Sequence, residues 1–192
     1  MCALSALPKH IVITGPTAGI GRAAALSRAE QGSQLTLLCR NLDKGADVSE
    51  AIVNAGGLTP HLVQMDMASL DSVRRAATSV LELGLPIDVL LNNAGLINSH
   101  RRETSDGFEE TLAVNHFAPF LLTGMLLPAI LKAAPGARIV NVASGAHSFV
   151  KNMGFDDIQL EHRDTTVQAG GRTEEDKTSF SRTLGPGGAG RG

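Results

Sequence analysis

Five short apolar runs, each separated from the next by a stretch with helical spacing, constrain this chain more than any other feature. They are Ile11–Thr14, Leu35–Cys39, Leu62–Met65, Asp88–Leu91 and Arg138–Val142. Between them lie an Ala-rich segment from about Arg22 to Gln31, a polar one over Lys44–Ala55 that stops at Gly56-Gly57, and Leu70–Leu83. A further stretch, Phe108–Ala133, reads as one long helix. Pro119 and Pro128 are expected to kink or break it, because proline lacks an amide donor and crowds the preceding turn. The runs are nearly continuous in apolar character, which marks strands buried on both faces. Such strands, alternating with helices, build parallel β-α-β units. The expected fold class is α/β, a doubly wound parallel sheet of about five strands.

The pattern stops at residue 160. From Glu161 to Gly192 only Val167, Phe180 and Leu184 are large and apolar, and glycine is concentrated. A segment of this composition buries too little surface to offset its ordering entropy. The chain therefore reads as one domain over residues 1–160 and a disordered, Gly-rich tail over 161–192. With 43% hydrophobic and 19% charged residues, the chain has enough apolar content for a core. A net charge of −2 argues against a nucleic-acid partner. Cys2 and Cys39 form no close pair and the histidines are scattered, so neither a disulfide framework nor a metal site is expected. Met1–His10 lacks the pattern of a signal peptide, and no run reaches about 18 apolar residues. These features predict no membrane span and a cytoplasmic location.

The chemistry begins where the first strand ends. Thr14-Gly15-Pro16-Thr17-Ala18-Gly19-Ile20-Gly21 runs from strand to helix. Its glycines permit a tight turn and a close backbone approach, and the following helix N-terminus offers amides to a phosphate. The spacing is G-x-x-x-G-x-G, and an ordinary glycine-rich loop is the competing reading. The second strand ends at Cys39 with Arg40 next, where an NAD site carries a ribose-binding acid. A guanidinium suits a 2′-phosphate, which favours NADP(H) over NAD(H). A solvated arginine at a strand end is the alternative. Asp66 closes the third strand as a ligand contact, or simply as a helix N-cap or turn residue. Asn92-Asn93-Ala94-Gly95 closes the fourth, either tying neighbouring strands while leaving room for a ribose or forming an Asx turn.

Assembled, these residues resemble the short-chain dehydrogenase/reductase family. Thr14–Gly21 is similar to its glycine motif, with Thr14, Gly15, Gly19, Ile20 and Gly21 toward the cofactor. Asp66 resembles its adenine contact, and Asn92, Ala94 and Gly95 its N-N-A-G motif. Asn115 resembles the helix asparagine of its proton relay, and Ser144 its catalytic serine. Thr104–Glu109, Phe120–Thr123 and Gly154–Ile158 point to the retinol-dehydrogenase-like branch. The resemblance covers about Lys9 to Leu160 and implies a Rossmann-type domain, here incomplete. It also implies hydride transfer between a nicotinamide and a small carbonyl or alcohol substrate.

In that family a tyrosine exchanges the substrate proton, and a lysine four residues later lowers the phenol pKa from about 10. This chain contains no tyrosine. Phe180 with Leu184 does not stand in for the pair, and the placements of Lys151, Lys177, His147 and His162 do not supply it. Three readings therefore stand: an active NADP(H)-dependent oxidoreductase, a cofactor-binding or interaction remnant without turnover, and a splice or frameshift truncation. The resemblance also implies oligomers packed through Phe108–Ala133 and a second helix that the chain lacks, so half of that interface is expected to be missing.

Overall fold

The computed structural model describes residues 8–143 and 157–161. Five parallel strands form one sheet: β1 (His10–Thr14), β2 (Gln34–Cys39), β3 (His61–Gln64), β4 (Val89–Asn92) and β5 (Arg138–Asn141). Their spatial order is β3-β2-β1-β4-β5. The first strand thus sits in the centre, with Ile11 beside Leu35 on one side and Val89 on the other. The chain turns back after β3 and crosses to the other side of β1, creating the switch point at which doubly wound sheets bind ligands. The expected α/β class and strand count hold.

Two apolar layers sandwich the sheet. Ile11, Ile13, Leu35 and Leu37 pack with Ala25 and Ala29 of α1 (Gly19–Glu30) and Val48 and Ile52 of α2 (Leu42–Asn54). On the other face, Val12, Leu38 and Leu90 pack with α3 (Leu70–Glu82) through Val73, Ala77 and Val80. The alternation of Ile11/Ile13 with Val12 between the two layers follows from the period-two geometry of a strand. Asn41 and Ser69 cap α2 and α3 by accepting from the Lys44 and Ser72 amides.

The long helix departs from expectation. It comprises α4 (Glu110–Leu112), a π-helical turn over Ala113–Phe117, and α5 (Ala118–Lys132). Pro119 falls in the first turn of α5, directly after the π turn, and the helix runs on through it. Pro128 lies inside α5, and the helix continues through it to Lys132. Neither proline breaks the element. Over Glu110–Lys132 the helix is long and apolar enough to cross a membrane by length and composition, with a mean hydropathy of 1.5. The sequence criterion of an unbroken run missed this because Asn115, His116 and Thr123 interrupt it. Half of that window is buried within the domain, where Leu122, Leu126 and Ile130 join the α3 layer.

The loop before α4 is held from two sides. Asp106 accepts from the Leu70 amide at the start of α3, 2.8 Å away. Arg101 donates to the Gln159 carbonyl at 2.9 Å, and Gln159 accepts from the Glu109 amide at 2.8 Å. The short 157–161 stretch therefore docks on the loop, with Leu160 buried. The expected tail beyond it, Ser144, and the first seven residues lie outside the described residues.

Candidate cofactor site

The site is built where β1 turns into α1. Gly15 has φ +64°, a left-handed conformation that favours glycine, and a Cβ there would lie 3.0 Å from the Ala94 Cα. A Cβ on Gly21 would come within 2.2 Å of the Gly15 carbonyl oxygen and 2.4 Å of Asn93 Nδ2. The loop can close over β4 only without these side chains. Polar ties then hold it there. Thr14 Oγ1 accepts from the Asn93 and Ala94 amides at 3.0 and 2.9 Å. Asn93 Nδ2 donates back to the Thr14 and Gly15 carbonyls at 3.0 and 3.1 Å. Sequence reading paired Asn93 with Asn92 only; its role as the loop's clasp emerges from the fold.

The result is a cleft of about 450 Å³ at the C-terminal ends of the strands. Of the expected cofactor residues, Gly15, Gly19, Arg40, Asp66, Ala94 and Gly95 line it. Ala18, the N-cap of α1, supplies no side-chain cap, and no acidic residue occupies the first turn. The leading amides of α1 therefore need an external acceptor, and they carry the positive end of the helix dipole. Arg40 is exposed, and its guanidinium has no ion-pair partner among the described residues. Its carbonyl accepts from Gln64 Nε2 at 3.3 Å, which fixes the backbone. Asp66 is not the cap of α3, a place that Ser69 takes. One carboxylate oxygen accepts from the Ala68 amide at 3.0 Å, forming a turn, while the residue lines the cleft.

Thr14, Gly21 and Asn92 stand behind the cleft rather than on its wall. Asn92 is buried and donates to Thr123 Oγ1 at 3.1 Å and Asn141 Oδ1 at 2.8 Å, joining β4 to α5 and β5. Its position matches the strand-tying half of the expectation. Ile20 is 68% exposed on the first turn of α1 and does not line the cleft. Asn115 sits in the π turn, buried. Its Oδ1 accepts from the Leu96 amide at 2.9 Å and its Nδ2 donates to the Leu96 carbonyl at 2.8 Å. The side chain thus clamps the backbone that leaves β4. Burial raises the pKa of the Cys39 thiol beside Arg40, so the group is poorly disposed to ionise.

Sequence reasoning missed Glu110 and Val114, which also line the cleft. Their four-residue spacing puts them on one helix face, but nothing in sequence alone aims that face at the strand ends. A larger groove of about 1030 Å³ lies over the sheet face between α1 and β5, lined by Ile11, Val89, Leu91 and Val140. It lies away from the glycine loop and the α1 N-terminus. No group of three or more metal-ligating side chains occurs among the described residues.

Comparison with known proteins agrees with this geometry. A family model described as short chain dehydrogenase matches residues 9–155. The chain is 35% identical over 163 residues to human retinol dehydrogenase 13, covering 84% of this chain and 48% of that protein. It is 39% identical over 155 residues to mouse polyprenol dehydrogenase, covering 79% and 46% respectively. The chain spans about half the length of these curated relatives. Among solved structures, an uncharacterised protein from Mycobacterium paratuberculosis superposes with a TM-score of 0.78 at 28% identity, covering 92% of this chain and 61% of that one. The chain belongs to the short-chain dehydrogenase family, in its retinol-dehydrogenase-like branch.

Proposed function

We propose that the cleft binds NADP(H) in preference to NAD(H), and that this chain holds the cofactor without turning over a carbonyl or alcohol by itself. One observation carries the binding reading. The uncapped N-terminus of α1 and the unpaired Arg40 guanidinium line the same cleft. The first suits a pyrophosphate and the second a 2′-phosphate. The bound nicotinamide would supply hydride chemistry. The chain's residues would orient it: the Gly15–Gly19 loop and α1 amides at the phosphates, Ala94 and Gly95 beside the ribose, and Asn115 behind them holding the Leu96 backbone. The names of the relatives, retinol and polyprenol dehydrogenases, support an alcohol as the substrate class.

The inactivity reading rests on composition. Without tyrosine the sequence offers no phenol to exchange the substrate proton, and general acid–base catalysis is typically worth ~10²–10⁴-fold. The free, buried Cys39 suits a reducing compartment, and we place the chain in the cytoplasm. Titration calorimetry with NADPH and NADH tests the first proposal. We expect tighter binding of NADPH, and Arg40→Ala to weaken NADPH by about tenfold, in line with loss of a charge-assisted contact, while leaving NADH unchanged. Equal affinities in the unmodified chain would overturn it. Turnover of an aldehyde or alcohol panel above the no-protein rate would overturn the second.

A further inference from the structure

An arginine three residues before a hydroxyl is the pattern that an arginine-directed kinase reads. Acidic side chains on such an enzyme pair with the guanidinium while the hydroxyl reaches ATP. Within the described residues this spacing occurs three times: Arg75 with Thr78, Arg101 with Thr104, and Arg102 with Ser105. Sequence alone ranks them equally. The fold separates them, because recognition needs an arginine free to leave the surface, a hydroxyl without a partner, and backbone outside a helix.

Thr78 fails on every count. It lies inside α3, its Oγ1 donates to the Arg74 carbonyl at 3.1 Å, and Arg75 is ion-paired with Asp71 one turn earlier. The second pair is committed as well. Arg101 donates to the Gln159 carbonyl at 2.9 Å and to Glu103 at 3.2 Å, and Thr104 Oγ1 accepts from the Phe108 amide at 3.3 Å. The third pair differs. Arg102 and Ser105 are both exposed on the loop before α4, and neither side chain has a hydrogen bond or ion pair among the described residues. Ser105 stands in a turn that its neighbours close: the Thr104 amide donates to the Phe108 carbonyl at 2.9 Å, and the Gly107 amide to the Thr104 carbonyl at 3.0 Å.

We propose that Ser105 is a phosphorylation site for an arginine-directed serine kinase, with Arg102 as the residue the kinase reads. In the transfer, Ser105 Oγ forms a bond to the γ-phosphorus of ATP as the bond to the β–γ bridging oxygen breaks. ADP leaves, and the hydroxyl proton passes to the kinase's catalytic carboxylate. The product carries about −1.5 to −2 of charge at neutral pH. It stands next to Asp106, whose carboxylate holds the Leu70 amide, so the new charge falls where the loop joins α3.

The test is incubation of the full chain with a purified arginine-directed kinase, Mg²⁺ and ATP, followed by intact mass and fragment mapping. We expect one phosphate within residues 8–143, on Ser105. Arg102→Ala should slow its addition by about tenfold or more, as for loss of a charge-assisted pair. The tie from the Glu110 amide to the residue-102 carbonyl is made by backbone, so this substitution leaves it in place. Arg101→Ala should leave the rate close to that of the unmodified chain, and Ser105→Ala should abolish labelling of the loop rather than pass it to Thr104. Labelling at Thr78 or Thr104 in the unmodified chain, an unchanged rate in Arg102→Ala, or no phosphate on Ser105 would each overturn the proposal.

Discussion

Single residues set the limits of the cofactor loop. Gly21 is held between the Gly15 carbonyl and the Asn93 amide with no room for a methyl group, so Gly21→Ala must push the loop off β4. The expected outcome is at least a tenfold loss of NADPH affinity together with about 1–3 kcal/mol of destabilisation, as for overpacking at a tight site, read by calorimetry and urea denaturation. At the opposite end of the sheet, His10 is buried, with its ring against the Pro86 carbonyl at 3.0 Å and Thr36 Oγ1 at 2.8 Å. Burial lowers its pKa below the ordinary 6.5; the Pro86 hydrogen bond opposes the shift, His61 adds to it and Asp88 opposes it. The folded chain therefore binds fewer protons than the unfolded one as pH falls below about 6.5. His10 contributes stability above that pH and loses it between 6.5 and the lower folded-state value, at no more than about 1.4 kcal/mol per pH unit. Urea melts at pH 7.5 and 5.5 should show this loss, and His10→Gln should flatten it.

At the scale of elements, the long helix carries the clearest test. Pro128 is exposed inside α5 and removes one backbone hydrogen bond there without ending the helix. Pro128→Ala should restore that bond and raise stability by about 1–3 kcal/mol, seen as a higher melting temperature. The strands were legible because Ile11–Thr14 and Leu35–Cys39 are apolar on both faces, and this pattern has few other solutions. The start of α3 was read correctly at Leu70, whereas α2 was read from Lys44, two residues inside its start at Leu42 despite the Asn41 cap. The α1 start was placed late, near Arg22, because Ala18 is an unusual N-cap that carries no side-chain signal. The π turn left no mark either: Ala113–Phe117 reads as ordinary helix, and only the tertiary clamp of Asn115 on Leu96 shows what the wider turn positions. In the cleft, Gly15, Gly19, Arg40, Asp66, Ala94 and Gly95 were legible because glycine spacing and strand ends are local signals. Glu110 and Val114 were not, because their placement depends on how a distant helix crosses the sheet.

For the molecule as a whole, the two faces of the sheet are covered unequally. On the α3–α5 side Leu90 is fully buried, whereas on the α1–α2 side Val89 and Leu91 are only partly covered and Val140 of β5 is 43% exposed. Among the described residues nothing lies over the β4–β5 part of that face, and β5 ends the sheet. An apolar edge of this kind promotes association between chains. Val140→Lys should lower static light scattering at matched concentration and raise the monomer fraction on size exclusion, with little effect on stability because the side chain is already exposed. Unchanged scattering would mean the groove is covered in solution.

The central position of β1 also has a consequence in time. Its neighbour on one side, β2, leaves the ribosome soon after it, but β4 follows about 80 residues behind, on the order of 4–16 s of synthesis at typical rates. For that interval Ile11 and Ile13 belong to an edge, and the Asn93 clasp that closes the glycine loop does not yet exist. The cofactor cleft is thus assembled late from a loop made early, and any slowing of translation between residues 40 and 90 lengthens the time for which the innermost strand has only one partner.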